Sequence, residues 1–105
     1  RERPTEAMAR VIWSLRAIEQ LETLVEYIAS YSPLEARRFA QKIFDRTDQL
    51  GLYPESGGLV PEDPERRYRE VLQGRYRLIY RTDGKRVLIV TVYHGARLLS
   101  AEDLS

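Results

Sequence analysis

Three residues, Ser32, Pro33 and Glu35, constrain this chain more than any other feature, because together they fix where a helix must begin. Ser32 is a favourable N-cap, and Pro33 suits the first helical position, where its missing N–H would have no partner anyway. Glu35 completes the spacing of a capping box. Just upstream, Ile18, Leu21, Val25 and Ile28 recur three and four residues apart, with Leu24 filling the stripe and Glu19, Glu22 and Glu26 set elsewhere. That spacing predicts an amphipathic helix capped by Ser14, starting at Leu15 and ending near Ser30. Two helices separated by so short a turn form a helical hairpin, and a hairpin with apolar stripes must lie against something.

The rest of the sequence supplies the support. The second helix carries Ala36, Phe39, Ala40, Ile43, Phe44 and Leu50 on one side. Gly51 is expected as a left-handed C′ residue, and Pro54 keeps the helix from resuming. Residues 53–65 hold three prolines and two glycines and read as a loop. Val11, Ile12 and Trp13 suit a short buried strand, and strands are predicted at about 67–72, 75–81 and 85–93. Gln73-Gly74 suits a tight first turn. At the second turn a three-residue loop, Thr82-Asp83-Gly84, sets Tyr76 against Val90 and Leu78 against Leu88 on one apolar face. The expected fold is α+β: an N-terminal strand, a helical hairpin, then a three-stranded antiparallel meander with the helices on one face and arginines on the other. Residues 1–10 carry no pattern and are read as a disordered or added stretch, with Met8 a candidate natural start; residues 11–105 are read as one domain.

Composition narrows the chemistry. A chain of 105 residues, 43% hydrophobic and 31% charged, suits a single globular core. It has no run of about 18 apolar residues, so no membrane span is expected. No cysteine and one histidine leave no thiol chemistry and make a metal site or other cofactor unexpected. A cytoplasmic protein is the expectation. The net charge of +1 conceals a bias: between Arg66 and Arg97, nine basic residues stand against two acidic ones. Such a segment suits an anionic partner, nucleic acid or acidic peptide, or else a solvated sheet surface.

Several features in order then resemble the ParE/RelE toxin superfamily. These are Val11-Ile12-Trp13-Ser14, Tyr27-Ile28-Ala29, Ser32-Pro33, Leu50 with Pro54, and Gly58 with Val60-Pro61-Glu62. They continue with Arg69-Glu70-Val71, Tyr76-Arg77-Leu78-Ile79-Tyr80-Arg81 and His94-Gly95-Ala96-Arg97. The Val-Pro-Glu loop and the His-Gly-x-Arg ending look closer to the ParE-like, plasmid-stabilisation branch. The resemblance implies the toxin of a bacterial type II toxin–antitoxin module, neutralised by an antitoxin with an acidic, amphipathic C-terminal segment. ParE-like members poison DNA gyrase; RelE-like members cleave mRNA on the ribosome. A non-toxic relic that binds nucleic acid or antitoxin is a third reading, and a homodimer is left open.

Metal-free RNA cleavage needs a base for the 2′-hydroxyl, a cation for the phosphorane and an acid for the leaving oxygen. On the RelE-like reading, the resemblance assigns these roles to Glu62, Arg77 and His94. Arg69, Arg75, Arg81 and Arg97 are the candidate target- or phosphate-binding residues. Nothing after Arg97 supplies the tyrosine found in several active RNases of the superfamily. Each residue also has a plainer role open to it: Arg77 as the cross-strand partner of Glu70, His94 as a hydrogen-bonded structural side chain, Glu62 as a solvated loop residue.

Overall fold

The computed structural model describes residues 8–95 and Leu104. Strand β1 (Arg10–Trp13) leads into helices α1 (Leu15–Ala29) and α2 (Pro33–Leu52), followed by strands β2 (Gly58–Leu59), β3 (Arg69–Gln73), β4 (Tyr76–Thr82) and β5 (Arg86–His94). One sheet results, in the order β1-β5-β4-β3-β2. β1 runs parallel to β5 with Arg10 against Arg86, and the other neighbours are antiparallel. The α+β architecture is the one the periodicity called for, with β2 added at an edge inside what reads as loop. β1 begins at Arg10 and Ala9 is buried; residues 1–7 lie outside the described residues.

Both helix starts follow their cap residues. The Ser14 hydroxyl accepts from the Ala17 amide at 3.0 Å, and the Ser32 hydroxyl accepts from the Glu35 amide at 3.1 Å. The Glu35 carboxylate turns to Arg38 instead, at 3.0 Å. Gly51 does not end α2 in a left-handed conformation. It sits inside the helix, where a Cβ would meet the Ala9 carbonyl at 3.1 Å, and its own carbonyl accepts from the Ala9 amide at 2.8 Å. Its small size lets α2 touch β1.

The hairpin covers one face of the sheet. Leu21, Ile43 and Leu50 meet Val71, Leu78, Tyr80, Val87, Ile89 and Val92 in one buried cluster, with Trp13, Phe39 and Tyr76 at its margin. The opposite face is not bare. Val60, Tyr68, Ile79, Val90, Tyr93 and Leu104 form a second cluster under the 60–68 loop.

The two covered faces correct the expected pairing of β4 and β5. Tyr76 lies opposite His94 and Leu78 opposite Val92, whereas Tyr80 lies opposite Ile89, with a register shift between Ile79 and Tyr80. Val90 is therefore the extra residue of a β-bulge, and the side chains facing the helices change from odd positions (Val87, Ile89) to even ones (Val92) across it. The Ser14 hydroxyl donates to the Val90 carbonyl at 2.9 Å, and Gln20 Oε1 accepts from the Val92 amide at 2.8 Å and the Thr91 hydroxyl at 2.9 Å. Helix α1 thus supplies the partners that the bulge takes from the ladder. The loop between β4 and β5 is longer than three residues: Thr82 pairs with Val87, and Asp83 Oδ1 accepts from the Lys85 and Arg86 amides, both at 2.9 Å. At the first turn the closing pair is Gln73 with Tyr76, so Gly74-Arg75 makes the bend, Gly74 at φ +60°.

Candidate functional site

Where β4 begins and β5 ends beside the first turn, Glu62, Glu70, Arg75, Arg77 and His94 line an open pocket of about 680 Å³. Arg77 is its centre. By alternation it points away from the helices, and the 60–68 loop brings Glu62 over it. Its Nη1 and Nη2 donate to the two Glu62 oxygens, both at 2.9 Å, and its Nε donates to Glu70 Oε1 at 2.6 Å. Only 7% of Arg77 is exposed. The Glu62 carboxylate and then that of Glu70 hold the Arg77 proton more firmly than usual against the burial that opposes it, raising its pKa. Glu70 is thus the partner of Arg77, as the plainer reading had it, but diagonally: Leu72 is the residue directly opposite Arg77, and Glu70 faces Ile79.

The loop that delivers Glu62 is braced by its neighbour. Asp63 accepts from the amides of Glu65 (3.1 Å), Arg67 (2.7 Å) and Tyr68 (2.9 Å). Burial pushes its carboxyl up, but the amides of Arg67, Tyr68 and Glu65 outweigh that and hold it below its usual value of 3.8. The turn Asp63 ties includes Arg66, the one described non-glycine residue at positive φ, +58°. At the other side of the pocket, the Gly95 amide donates to the Arg75 carbonyl at 2.7 Å, which pins the end of β5 to the turn. His94 there meets the Tyr76 ring edge-on, 5.5 Å between centroids.

Of the residues expected to share a site, Glu62, Arg75, Arg77 and His94 are brought together. Arg69 is not: it pairs with Tyr80 on the helix-covered face, and its Nη1 donates to the Gly57 carbonyl at 2.8 Å. Arg81 lies at the far end of β4, opposite Leu88. Arg97 lies outside the described residues. The arginine-bearing face expected from the sequence is therefore interrupted at its middle, because Arg77 there is matched by two carboxylates. Glu70 belongs to the site as fully as Glu62, and its signal was the cross-strand pairing of unlike charges. Among the described residues, no group of three or more His, Cys, Asp or Glu side chains is placed to hold a metal ion, and no helix is long and apolar enough to cross a membrane.

A family model described as ParE toxin of type II toxin–antitoxin system, parDE, matches residues 11–99. Toxin RelE2 of Caulobacter vibrioides is 37% identical over 92 residues, which cover 87% of this chain and 100% of that protein. Among solved structures, a chain of the chromosomal ParDE system from P. aeruginosa matches with a TM-score of 0.69 at 20% identity, over 84% of this chain and 97% of that one. A chain of the RelBE2 toxin–antitoxin complex from Mycobacterium tuberculosis matches with a TM-score of 0.56 at 21% identity, over 83% of this chain and 98% of that one. At these identities the two structures attest the shared fold.

Proposed function

Because the chain belongs to the ParE toxin family of type II toxin–antitoxin systems, we propose that it arrests growth by binding a protein target such as DNA gyrase, without cutting RNA, and that a cognate antitoxin neutralises it. The observation that carries this reading is the state of Arg77. A phosphorane needs a cation with donors and charge to give, and here three of the five Arg77 N–H donors already go to Glu62 and Glu70. Two carboxylates balance the Arg77 and Arg75 guanidinium groups in the pocket lining, which leaves no excess of positive charge to draw in a phosphate. Both Glu62 oxygens in the same arrangement already accept from Arg77 rather than facing an incoming hydroxyl. The constellation supports a braced loop better than a catalytic centre.

One observation favours the ribonuclease reading: Glu62, Arg77 and His94 line a single pocket. For that chemistry an incoming phosphate would have to take Arg77 from its carboxylates. Induced expression with parallel readouts of plasmid supercoiling and transcript 5′ ends separates the two. The expected result is lost supercoiling with intact mRNA, and toxicity retained in Glu62→Ala and His94→Ala. Transcripts cut between codon positions, with cutting lost in Arg77→Lys, would reverse the assignment.

A further inference from the structure

Helix α2 has a second patterned flank besides the one it buries. Leu34, Arg37, Gln41, Phe44, Asp48 and Leu52 recur at spacings of three and four, which aligns them along about 27 Å of the helix. This flank is separate from the side buried through Ala36, Ile43, Thr47 and Leu50. Phe44 packs on Trp13 of the edge strand β1, 5.8 Å between ring centroids, yet 44% of it stays exposed, as does 47% of Leu34. Arg37, Gln41 and Asp48 are exposed as well.

The charges at the two ends of this flank are left over. Elsewhere on α2, Arg38 is paired with Glu35, Asp45 accepts from Gln41, and Arg46 donates to Gln49. Arg37 and Asp48 have no ion-pair or hydrogen-bonding partner among the described residues. They stand about 16 Å apart along the axis and cannot meet within one chain. Read along the helix, the flank runs apolar, basic, polar, apolar, acidic, apolar. Its complement needs an acid opposite Arg37, a base opposite Asp48 and apolar surface around Phe44, all at the same spacing. The flank itself, turned end for end, supplies that complement. A two-fold axis passing between positions 42 and 43 sets Arg37 against Asp48 of the second copy, twice over, and brings Leu34 beside Leu52. It also offsets the two Phe44 rings by only about 4–5 Å along the helices, so they meet across the axis. A parallel arrangement would oppose like charges instead.

We infer that this flank is a self-association surface: two copies of the chain join through antiparallel α2 helices, with two Arg37–Asp48 pairs enclosing a Phe44–Phe44 contact. One helix pair buries less than a standard interface, so the dimer is a reversible one of micromolar or weaker affinity. The surface is independent of the Glu62–Arg77–Glu70 cluster and of the target assigned above.

Sedimentation equilibrium of the full chain over a concentration series tests this. The wild-type chain should pass from monomer to dimer, and Trp13 fluorescence should change on the same curve because Trp13 touches Phe44. Since the axis repeats every contact, Arg37→Glu or Asp48→Arg each turns two attractions into two repulsions and should raise the dimer Kd about ten-fold or more. The double variant Arg37→Glu, Asp48→Arg restores both pairs in reversed sense and should regain near wild-type Kd. Mixing the two single variants should give a heterodimer, because each then supplies the charge the other lacks. Both positions are exposed, and circular dichroism with thermal melting verifies that the variants keep the fold. A chain that stays monomeric up to millimolar concentration would overturn the inference. So would a dimer indifferent to the single reversals, or single reversals that neither the double variant nor mixing repairs. None of these readouts depends on growth arrest, so they leave the toxin reading to its own experiment.

Discussion

Replacing Arg77 by methionine is the most informative perturbation of the Glu62–Arg77–Glu70 cluster. The substitution keeps most of the side-chain volume and removes the cation, so two carboxylates are left facing each other across the space it filled. Breaking a buried pair by deleting one partner costs about 3–5 kcal/mol. Glu62 and Glu70 retain 19% and 20% side-chain exposure, so water offsets part of that and about 2–4 kcal/mol is the expectation. For a domain of this size each kcal/mol lowers Tm by about 4–8 °C, so the loss should be at least about 8 °C. It is also a large share of the roughly 5–15 kcal/mol that stabilises such a domain. Urea unfolding followed by circular dichroism measures it. The diagnostic comparison is the triple variant Glu62→Gln, Glu70→Gln, Arg77→Met, in which no uncompensated charge remains; it should recover all but about 1–2 kcal/mol. A single variant that loses less than about 0.5 kcal/mol, or a triple variant as unstable as the single one, would refute the claim that mutual neutralisation holds the loop to the sheet.

Other outcomes follow from single contacts. A Cβ at Gly57 would stand 2.7 Å from both the Glu70 carbonyl and the Tyr80 hydroxyl, so Gly57→Ala should destabilise by about 1–3 kcal/mol in the same urea assay. Gln20→Ala strips the Val92 amide of its partner, with an expected cost of about 1–3 kcal/mol and faster hydrogen exchange at Val92; unchanged exchange there would count against the tie between α1 and the bulge. The Lys85 and Arg86 amides, and then the Arg86 side chain, hold the Asp83 carboxyl down at about 2. A depressed carboxylate contributes above its unfolded value of about 3.8 and loses that contribution as pH falls through its folded value. An NMR titration of the Asp83 carboxyl should have its midpoint near 2, with the 83–86 amides shifting in step; a midpoint at the ordinary value would reject the capped loop.

The parts of this fold that were legible in the sequence are those fixed by local chemistry. Ser14, Ser32 and Pro33 mark helix starts because cap geometry involves only the next few residues. The pairing of β4 with β5 was not legible, and the reason is physical. Register is readable when one face of a strand is buried and the other wet. Here Val90 packs with Tyr68, Val60 and Leu104, with Leu88 partly buried beside it, while Val87 and Ile89 are fully buried under the helices. With both faces apolar, hydrophobic alternation cannot choose between registers, and the bulge at Val90 reverses its phase within one strand. The candidate site divides the same way. Glu70 and Arg77 reveal themselves as neighbouring strand residues of opposite charge. The grip of Glu62 on Arg77 spans fifteen residues and depends on how Asp63 folds an otherwise irregular loop. Gly51 shows a third kind of limit: a glycine near a helix end suggests a cap, whereas here it answers to the Ala9 backbone approaching from across the fold.

The pairing of β1 with β5 carries a consequence for how the molecule comes into being. Strand β1 finds its hydrogen-bonding neighbour only in β5, and the Ser14–Val90 contact closes a span of 76 residues. Contacts of such long sequence separation form late, after shorter loops have closed. During synthesis the helical hairpin can assemble early, but its supporting sheet stays unfinished until β5 has left the ribosome. A product that stops short of β5 therefore lacks both the partner of β1 and the Ser14–Val90 contact.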